Sequence, residues 1–251
     1  MKACIRKNLE LRTDVVVPTC SNLDIRVKVK AAALNPVDYK VGWPIFGPIC
    51  SSDFAGIVDE VGPGVTDYKV GDEVYGVAGG SLAEYALTST NRISSKPTTL
   101  TFGEAAALPV AYLTSVQAFT KYGGLKSGGR VLIIGASGGC GVAGIQVAKA
   151  LGAKDIVGVC SGRNVDFVKS VGATEVVDYT KHNVLEHFKG EDGNVKESDK
   201  FDVIYDAATG SGGGEDYLAL SRPLLREASA ENQHGQVCIN GFCIRCSMPT
   251  K

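Results

Sequence analysis

The sequence predicts an α/β chain in which a small β-barrel precedes a doubly wound parallel sheet. Three observations lead to this fold class. The first half carries short strand-like runs separated by turn residues, the second half alternates apolar strands with helical segments, and a glycine-rich segment at 131–144 lies at the start of that alternation. Short strands with tight turns are typical of barrels, whereas strand–helix alternation is typical of open parallel sheets that bind ligands at the carboxyl ends of their strands.

The strands of the first half follow from period-two patterns and turn signals. Residues 24–34 alternate apolar and polar side chains, as a half-buried strand does. A second run at 53–65 ends at the turn signal Gly62-Pro63-Gly64. Further short strands are predicted at 73–77 and within 81–97.

The second half begins with an apolar run at 130–135, which predicts a strand buried on both faces. Apolar residues at helical spacing then predict a helix over 141–153, with Gly152 as its C-cap. The polar region 181–200 is interpreted as a helix with a surface loop. The remaining pattern predicts strands at 155–160, 174–179, 201–208 and 234–240 and a helix at 164–172.

The composition excludes several classes of protein. The 251 residues are 44% hydrophobic and 21% charged, with a net charge of −1, so no basic excess points to nucleic acid. No apolar run approaches the roughly 18 residues that a membrane span needs. The first 14 residues lack the apolar core of a signal peptide. We therefore expect a cytoplasmic protein with neither a nucleic-acid partner nor a membrane span.

The eight cysteines are scattered, unlike those of a small secreted scaffold, and we expect reduced thiols. Cys243 and Cys246, with Cys238 nearby, allow a metal or redox cluster. Because neither a second CxxC pair nor paired histidines accompany them, the favoured interpretation has no metal there. His182 and His187 lie in the polar region and are interpreted as solvated.

Two overlapping glycine patterns share the segment at 131–144. The literal G-x-G-x-x-G begins at Gly139, whereas an earlier register begins with Ala136. Only the earlier register places the tight turn directly after the first strand, so Gly144 is predicted to let helix and sheet approach. The sequence therefore predicts a dinucleotide site in which backbone amides meet a pyrophosphate. Its predicted cofactor-binding residues are Ala136, Ser137, Gly138, Gly139, Cys140 and Gly141.

The end of the second strand of this half indicates which dinucleotide binds. NAD sites usually place an acidic residue there, but this chain has Ser161 and Arg163 and no acid before Asp166. A guanidinium can pair with the 2′-phosphate of NADPH, and Ser161 and Tyr179 can add hydroxyl groups. NADPH is the predicted cofactor. The alternative is that Arg163 is a plain surface residue at a helix start.

Six stretches carry a resemblance to a known family. The first five are AAALNPVDYKVG, DFAGIVDEVGPGVTDYKVGDEVYGV, GSLAEYA, EAAALPVAYLTSVQAF and VLIIGASGGCGVAGIQVAKALGA, and the sixth is CSGRNVDFVKSVGATEVVDY. The first five look like the zinc-independent quinone oxidoreductases of the medium-chain dehydrogenase/reductase (MDR) superfamily, which include zeta-crystallin and the plant enone reductases. The sixth is similar to the NADPH-selecting strand of the plant chloroplast-type members. The resemblance covers about residues 15–240 and implies a GroES-like catalytic domain at 1–108 and a Rossmann domain at 109–251.

The resemblance also implies chemistry without zinc. Zinc alcohol dehydrogenases of this superfamily carry Cys where this chain has Asn35 and His-Glu where it has Ser52-Asp53, and no cysteine lies between Glu104 and Phe119. A catalytic zinc needs about three protein ligands, so hydrogen bonds must polarise the substrate oxygen instead.

Further site residues come from the family pattern. The loop with Asn35 and Asp38 lines the nicotinamide pocket of relatives, and Asn35-Pro36 also reads as a helix N-cap. Tyr39 is a weaker substrate-side candidate, with packing as its alternative role. Three positions match family contacts to the cofactor, namely Thr114, Ala207 and Asn240.

The resemblance implies NADPH-dependent hydride transfer to a quinone or to the β-carbon of an enone, with solvent, Tyr39 or Tyr112 as proton donor. Family members continue past the fifth strand of the Rossmann domain, whereas this chain ends at Lys251, and its stretch before Val15 also looks short. A truncated product, or an altered reading frame after about residue 230, would explain the end. In relatives the sixth strand builds the dimer interface, so a homodimer and other states stay open. The alternative function is an NADPH-binding protein that is catalytically silent.

Overall fold

The structure is a computed structural model that describes residues 1–40, 47–208, 217 and 221–226, and the backbone of 236–239 and 242–244. The chain divides into two compact units, Met1–Val110 and Ala111–Lys251. This division lies close to the domain boundary that the sequence predicts. The two units are described in turn.

The first unit is built on an antiparallel sheet of five strands with the order β6-β3-β4-β5-β7. A separate antiparallel hairpin of β1 and β2, which the sequence analysis did not predict, precedes it. The strands are β1 (Ala3–Ile5), β2 (Glu10–Arg12), β3 (Asp24–Ala33), β4 (Asp53–Val61), β5 (Glu73–Val77), β6 (Tyr85–Ser89) and β7 (Ile93–Ser95). The helices are α1 (Pro36–Lys40), α2 (Phe102–Ala106) and α3 (Pro109–Gln117), the last of which continues into the second unit.

The predicted alternation explains why this sheet forms. Ile25 and Val27 of β3 are fully buried and pack with Phe54 and Val74 of the neighbouring strands, while the polar residues between them reach the surface. Two register shifts along the β3–β4 pair bend the sheet. The α2 helix begins with a capping box between Thr101 and Glu104.

The second unit alternates strands and helices as predicted. A π-helical turn at Ala118–Tyr122 precedes the first strand. Its strands are β8 (Arg130–Ile134), β9 (Asp155–Cys160), β10 (Glu175–Asp178), β11 (Val203–Asp206), β12 (Gln236–Ile239) and β13 (Phe242–Ile244). Its helices are α4 (Gly139–Ala150), α5 (Val165–Val171) and α6 (Val184–His187).

The strand order in this unit is β10-β9-β8-β11-β12-β13. The first five of these strands are parallel, and β13, which the sequence did not predict, pairs with β12 in the antiparallel direction. Residues 131–134 are at most 2% exposed, because one set of side chains packs on each face of the sheet. The antiparallel first sheet and the parallel second sheet confirm the predicted fold class.

Candidate functional site

The topology of the second unit creates a binding position at one edge of its sheet. The strand β8 lies between β9 on one side and β11 on the other, so the chain leaves β8 and β11 in opposite directions. In open parallel sheets, ligands bind outside the carboxyl ends of the strands at such a switch point. The segments that follow Ile134, Cys160 and Asp206 therefore form one candidate site.

The turn after β8 begins at Gly135, the residue that directly follows the strand. Gly135 has a φ of 76°, a conformation that favours glycine. Ala136 is fully buried, and its amide donates to the Val159 carbonyl at 3.0 Å. The Ala136 side chain therefore packs in the core and its amide belongs to the sheet, and its place among the cofactor-binding residues stays a prediction.

The amide of Gly138 is also committed, since it donates to the Gly135 carbonyl at 3.0 Å. Gly138 instead serves as the N-cap of α4, with extended backbone and no side-chain cap. The Gly138 amide is therefore already engaged within the turn. The first-turn amides of Gly139 and Gly141 are the donors that helix geometry leaves without an intrahelical acceptor.

Two glycines of this turn, Gly139 and Gly141, differ in the space that surrounds them. A Cβ on Gly139 would meet no heavy atom within 4 Å, whereas a Cβ on Gly141 would lie 2.2 Å from the Gly135 carbonyl oxygen. Gly141 thus allows the helix to contact the turn, and Gly139 leaves open space above the helix N-terminus. An open cradle of first-turn amides fits the pyrophosphate of a dinucleotide.

Gly144 has the packing role that the sequence predicts. A Cβ there would lie 2.9 Å from a ring carbon of Tyr205, which is fully buried on β11. The G-x-G-x-x-G pattern that begins at Gly139 therefore ends at a glycine that packs between the helix and the sheet.

The segment after β9 presents its basic residue to solvent. Arg163 is exposed and makes no hydrogen bond or ion pair with any residue that the structure describes. Ser161 is half-buried, and Tyr179, which follows β10, is 51% exposed. The three residues predicted to bind a 2′-phosphate thus follow neighbouring strands at the same sheet edge.

A carboxylate that the sequence analysis did not single out reaches this loop. A Cβ on Gly162 would lie 2.5 Å from Asp178 Oδ2, so the chain passes close to this carboxylate at Gly162. The hydroxyl of Thr180 donates to Asp178 Oδ1 at 2.6 Å, and this bond lowers the pKa of the carboxyl. The Nζ of Lys181 lies 3.8 Å from Oδ2 and offsets its charge.

Asn164 was also missed, because its position before α5 reads as an ordinary helix cap. Its side chain makes no cap hydrogen bond. The amide nitrogen instead donates to Ser137 Oγ at 3.1 Å and to Ser161 Oγ at 3.2 Å. Asn164 therefore links the turn after β8 to the turn after β9.

The remaining residues that the sequence predicts to bind the cofactor are Thr114, Ala207 and Asn240. Thr114 is half-buried on α3, and its neighbour Ser115 donates to the Cys140 carbonyl at 3.2 Å. The Ala207 amide donates to the Ile134 carbonyl at 3.0 Å, which brings the end of β11 beside the glycine turn. Asn240 lies outside the described residues.

In the first unit, the half-buried Asn35 and the buried Asp53 form a polar pair. Asn35 follows β3 and Asp53 opens β4, and the two strands pair so that Ala33 lies opposite Asp53. The Asn35 amide nitrogen donates to Asp53 Oδ2 at 2.9 Å, and the Val110 amide lies 3.2 Å from both carboxylate oxygens. Asp53 is 1% exposed, and this burial raises its pKa to about 6 despite both hydrogen bonds.

Asp38 holds the loop that follows β3, and its substrate-side position stays a prediction. It is 5% exposed, and one carboxylate oxygen accepts the Asn35 amide hydrogen at 2.7 Å. The other oxygen lies 3.9 Å from the buried guanidinium of Arg6. Tyr39, by contrast, is 71% exposed, and Tyr112 packs against the core of the second unit.

Within the described parts of the chain, no group of three His, Cys, Asp or Glu side chains could hold a metal ion. The side chains of Cys238, Cys243 and Cys246 lie outside those parts. His182 and His187 are exposed, and His187 Nε2 lies 3.2 Å from Glu175. No helix in the described residues is both long and apolar enough to cross a membrane.

Comparison with known proteins agrees with this arrangement. Residues 21–98 match the family model of the alcohol dehydrogenase GroES-like domain, and residues 139–223 match that of the zinc-binding dehydrogenase. The chloroplast envelope quinone oxidoreductase homolog of Arabidopsis thaliana is 41% identical over 182 residues, which cover 66% of this chain and 55% of that protein. The 2-methylene-furan-3-one reductase of Solanum lycopersicum is 39% identical and matches 79% of this chain and 53% of its own length.

Among solved structures, Escherichia coli quinone oxidoreductase complexed with NADPH has a TM-score of 0.70 and 26% identity. That match covers 85% of this chain and 65% of the other. The chain spans about half the length of the two curated relatives. The matched domains and these relatives show that the chain belongs to the zeta-crystallin-like quinone oxidoreductase family of the medium-chain dehydrogenase/reductase superfamily.

Proposed function

We propose that this chain reduces quinones or α,β-unsaturated carbonyl compounds by hydride transfer from NADPH, without a metal ion. One observation carries the proposal: Arg163, which is exposed and has no partner among the described residues, follows β9, while an open cradle of helix amides follows the neighbouring β8. The cradle suits a pyrophosphate, and the arginine suits a phosphate on the adenosine ribose. The similarity to a quinone oxidoreductase homolog and to a 2-methylene-furan-3-one reductase supports this chemistry.

The residues of the second unit would hold the cofactor. Gly139 and Gly141 offer backbone donors, with Ser137 and Cys140 in the same turn, and NADPH when bound supplies the hydride. The chain's part is to hold and orient the dinucleotide and to exclude water. Thr114, Ala207 and Asn240 are proposed to complete the contacts toward the nicotinamide.

The preference for NADPH over NADH depends on the segment after β9. Arg163 can donate two hydrogen bonds to one phosphate group, and Ser161 and Tyr179 offer hydroxyl donors. Asp178 already accepts hydrogen bonds from Thr180, so the loop does not present an unengaged carboxylate of the kind that grips a ribose 2′-hydroxyl in NAD sites.

Asn35 and Tyr39 are proposed to act on the substrate. Because Asn35 donates one amide hydrogen to Asp53, its amide plane is fixed, and its second hydrogen remains to polarise a substrate oxygen. Tyr39, which is 71% exposed, is the proposed proton donor, with solvent as the other source. Asp38 contributes by fixing the Asn35 backbone.

The proposal is tested by following NADPH oxidation with 9,10-phenanthrenequinone and with a simple alkenal, at an NADPH occupancy measured by titration. We expect turnover with at least one acceptor. Tight NADPH binding without turnover of either acceptor would contradict the enzymatic function and favour the catalytically silent alternative.

The cofactor preference is tested with Arg163→Asp. Losing a charge-assisted pair worth about 1.5–3 kcal/mol should weaken NADPH roughly 10- to 100-fold while NADH changes little. Lys169→Asp makes the same charge change on the exposed side of α5 and serves as the matched control. An unchanged preference in Arg163→Asp would refute the assignment of the 2′-phosphate site.

The cytoplasmic location stays a prediction, since relatives include chloroplast and mitochondrial proteins.

A further inference from the structure

Asn164 occupies a position where asparagine usually caps a helix. A capping side chain accepts a hydrogen bond from an amide of the first helical turn. Asn183, which precedes α6 in the same unit, does this by accepting the Glu186 amide hydrogen at 3.1 Å. Asn164 makes no such bond, so its side chain is directed elsewhere.

The side chain of Asn164 joins two turns that are distant in sequence. Its Nδ2 lies 3.1 Å from Ser137 Oγ and 3.2 Å from Ser161 Oγ. An amide nitrogen carries two hydrogens, so one group can donate to both hydroxyls. The two serines follow β8 and β9, which are hydrogen-bonded neighbours in the parallel sheet.

This arrangement leaves each serine hydroxyl with a hydrogen to donate. A serine hydroxyl has one hydrogen and two lone pairs, so an oxygen that accepts from Asn164 still has its own hydrogen to donate. Both serines are half-buried, and both adjoin groups that suit an anion: Ser137 precedes the amide cradle, and Ser161 lies two residues before Arg163. The hydrogens are thereby available to acceptors outside the protein.

We infer that Asn164 is a positioning residue that sets the hydroxyls of Ser137 and Ser161 as hydrogen-bond donors toward a 2′-phosphorylated adenine dinucleotide. Ser137 serves the pyrophosphate end, and Ser161 serves the 2′-phosphate. The inference rests on the proposed function, because it takes NADPH as the cofactor. It goes beyond that function because it names Asn164 as the residue that orients the segment after β9 relative to the turn after β8.

The inference predicts how two substitutions should differ. Asn164→Ala removes the shared donor and leaves both hydroxyls to rotate, so the affinity for a 2′-phosphate should fall several-fold. Asn164→Asp offers acceptors instead, so the serine hydrogens turn toward the carboxylate and a negative charge is added beside the phosphate site. This variant should lose 10-fold or more.

The test uses fragments that differ only in the 2′-phosphate. Binding of 2′,5′-ADP and of 5′-ADP to the full chain is measured by calorimetry for the wild type, Asn164→Ala, Asn164→Asp and Asn183→Asp. Asn183→Asp makes the same change at an ordinary helix cap and should leave both affinities unchanged. In the Asn164 variants the preference for 2′,5′-ADP over 5′-ADP should shrink while the thermal unfolding midpoint stays near that of the wild type.

A double-mutant cycle shows whether Asn164 acts through the serine. Adding Asn164→Ala to Ser161→Ala should change the preference for 2′,5′-ADP over 5′-ADP little further, because the hydroxyl that it orients toward the 2′-phosphate is already gone. Full additivity, or an unchanged fragment preference in Asn164→Ala, would overturn the inference and leave the NADPH assignment standing. A wild-type chain that does not prefer 2′,5′-ADP would instead overturn the NADPH assignment, and this inference with it.

Discussion

Replacing Gly141 with alanine should destabilise the second unit, whereas the same replacement at Gly139 should not. The two glycines are separated by one residue in the first turn of α4. A Cβ at Gly141 would lie 2.2 Å from the Gly135 carbonyl oxygen and 2.7 Å from Ala136 Cα, well inside the 3.4 Å at which ordinary contact begins. A Cβ at Gly139 would meet nothing within 4 Å.

The magnitude follows from the atoms that must move. Both neighbours of the Gly141 Cβ are backbone atoms, which cannot rotate away, so the cost lies near the upper end of the ~1–3 kcal/mol typical of overpacking. Alanine recovers up to ~1 kcal/mol of helix propensity. The net loss is ~2 kcal/mol, which lowers the unfolding midpoint by roughly 4–8 °C.

Thermal unfolding of the full chain, followed by circular dichroism, measures this difference directly. Gly139→Ala should stay within about 2 °C of the wild type, because an exposed substitution without new contacts changes stability by about 0.5 kcal/mol or less. Equal midpoints for the two variants would refute the close approach of helix and turn, and with it the earlier register of the glycine motif.

Two further predictions follow from the same structure. Gly144→Ala should lower the unfolding midpoint by a few degrees through contact with Tyr205, yet 5′-ADP affinity should stay within about twofold, because this glycine packs on the sheet; a large affinity loss would contradict its assigned role. Burial raises the pKa of Asp53 from 3.8 to about 6, so the folded chain binds an extra proton between these values and its free energy of unfolding falls by about 2 kcal/mol as pH rises from 4 to 7. In urea titrations, Asp53→Asn should lack this contribution, so the stability difference between wild type and variant should change by that amount across the window; a constant difference would contradict it.

Periodicity made most of the fold predictable. The apolar run at 131–134 forms a strand buried on both faces, and the alternation at Ile25 and Val27 forms a strand with one buried face. The β1–β2 hairpin and β13 were not predicted, because three-residue strands are too short to show a period. Their existence depends on pairing partners, which a local pattern does not contain.

The candidate site was predictable in its position and less so in its hydrogen bonds. The positions follow from the topology, since residues after the carboxyl ends of parallel strands lie at one sheet edge. The direction of a side chain depends on register and on competing partners. Asn35 reads as a helix cap, but the β3–β4 pairing brings Asp53 to its amide. Asn164 reads as a cap for the same reason, but two serines take its amide hydrogens.

The division between amide and side-chain donors has a consequence for specificity. NADPH and NADH carry the same pyrophosphate, so donors from Gly139 and Gly141 stabilise both equally and cannot discriminate between them. Discrimination must come from groups that meet the 2′ position, which in the proposed assignment are Ser161, Arg163 and Tyr179. Because Asn164 links Ser161 to Ser137, substitutions in the turn after β8 should alter the preference for NADPH over NADH as well as the affinity for either cofactor. A site without this link would keep the two properties separate, since distant and unconnected groups contribute additively to binding.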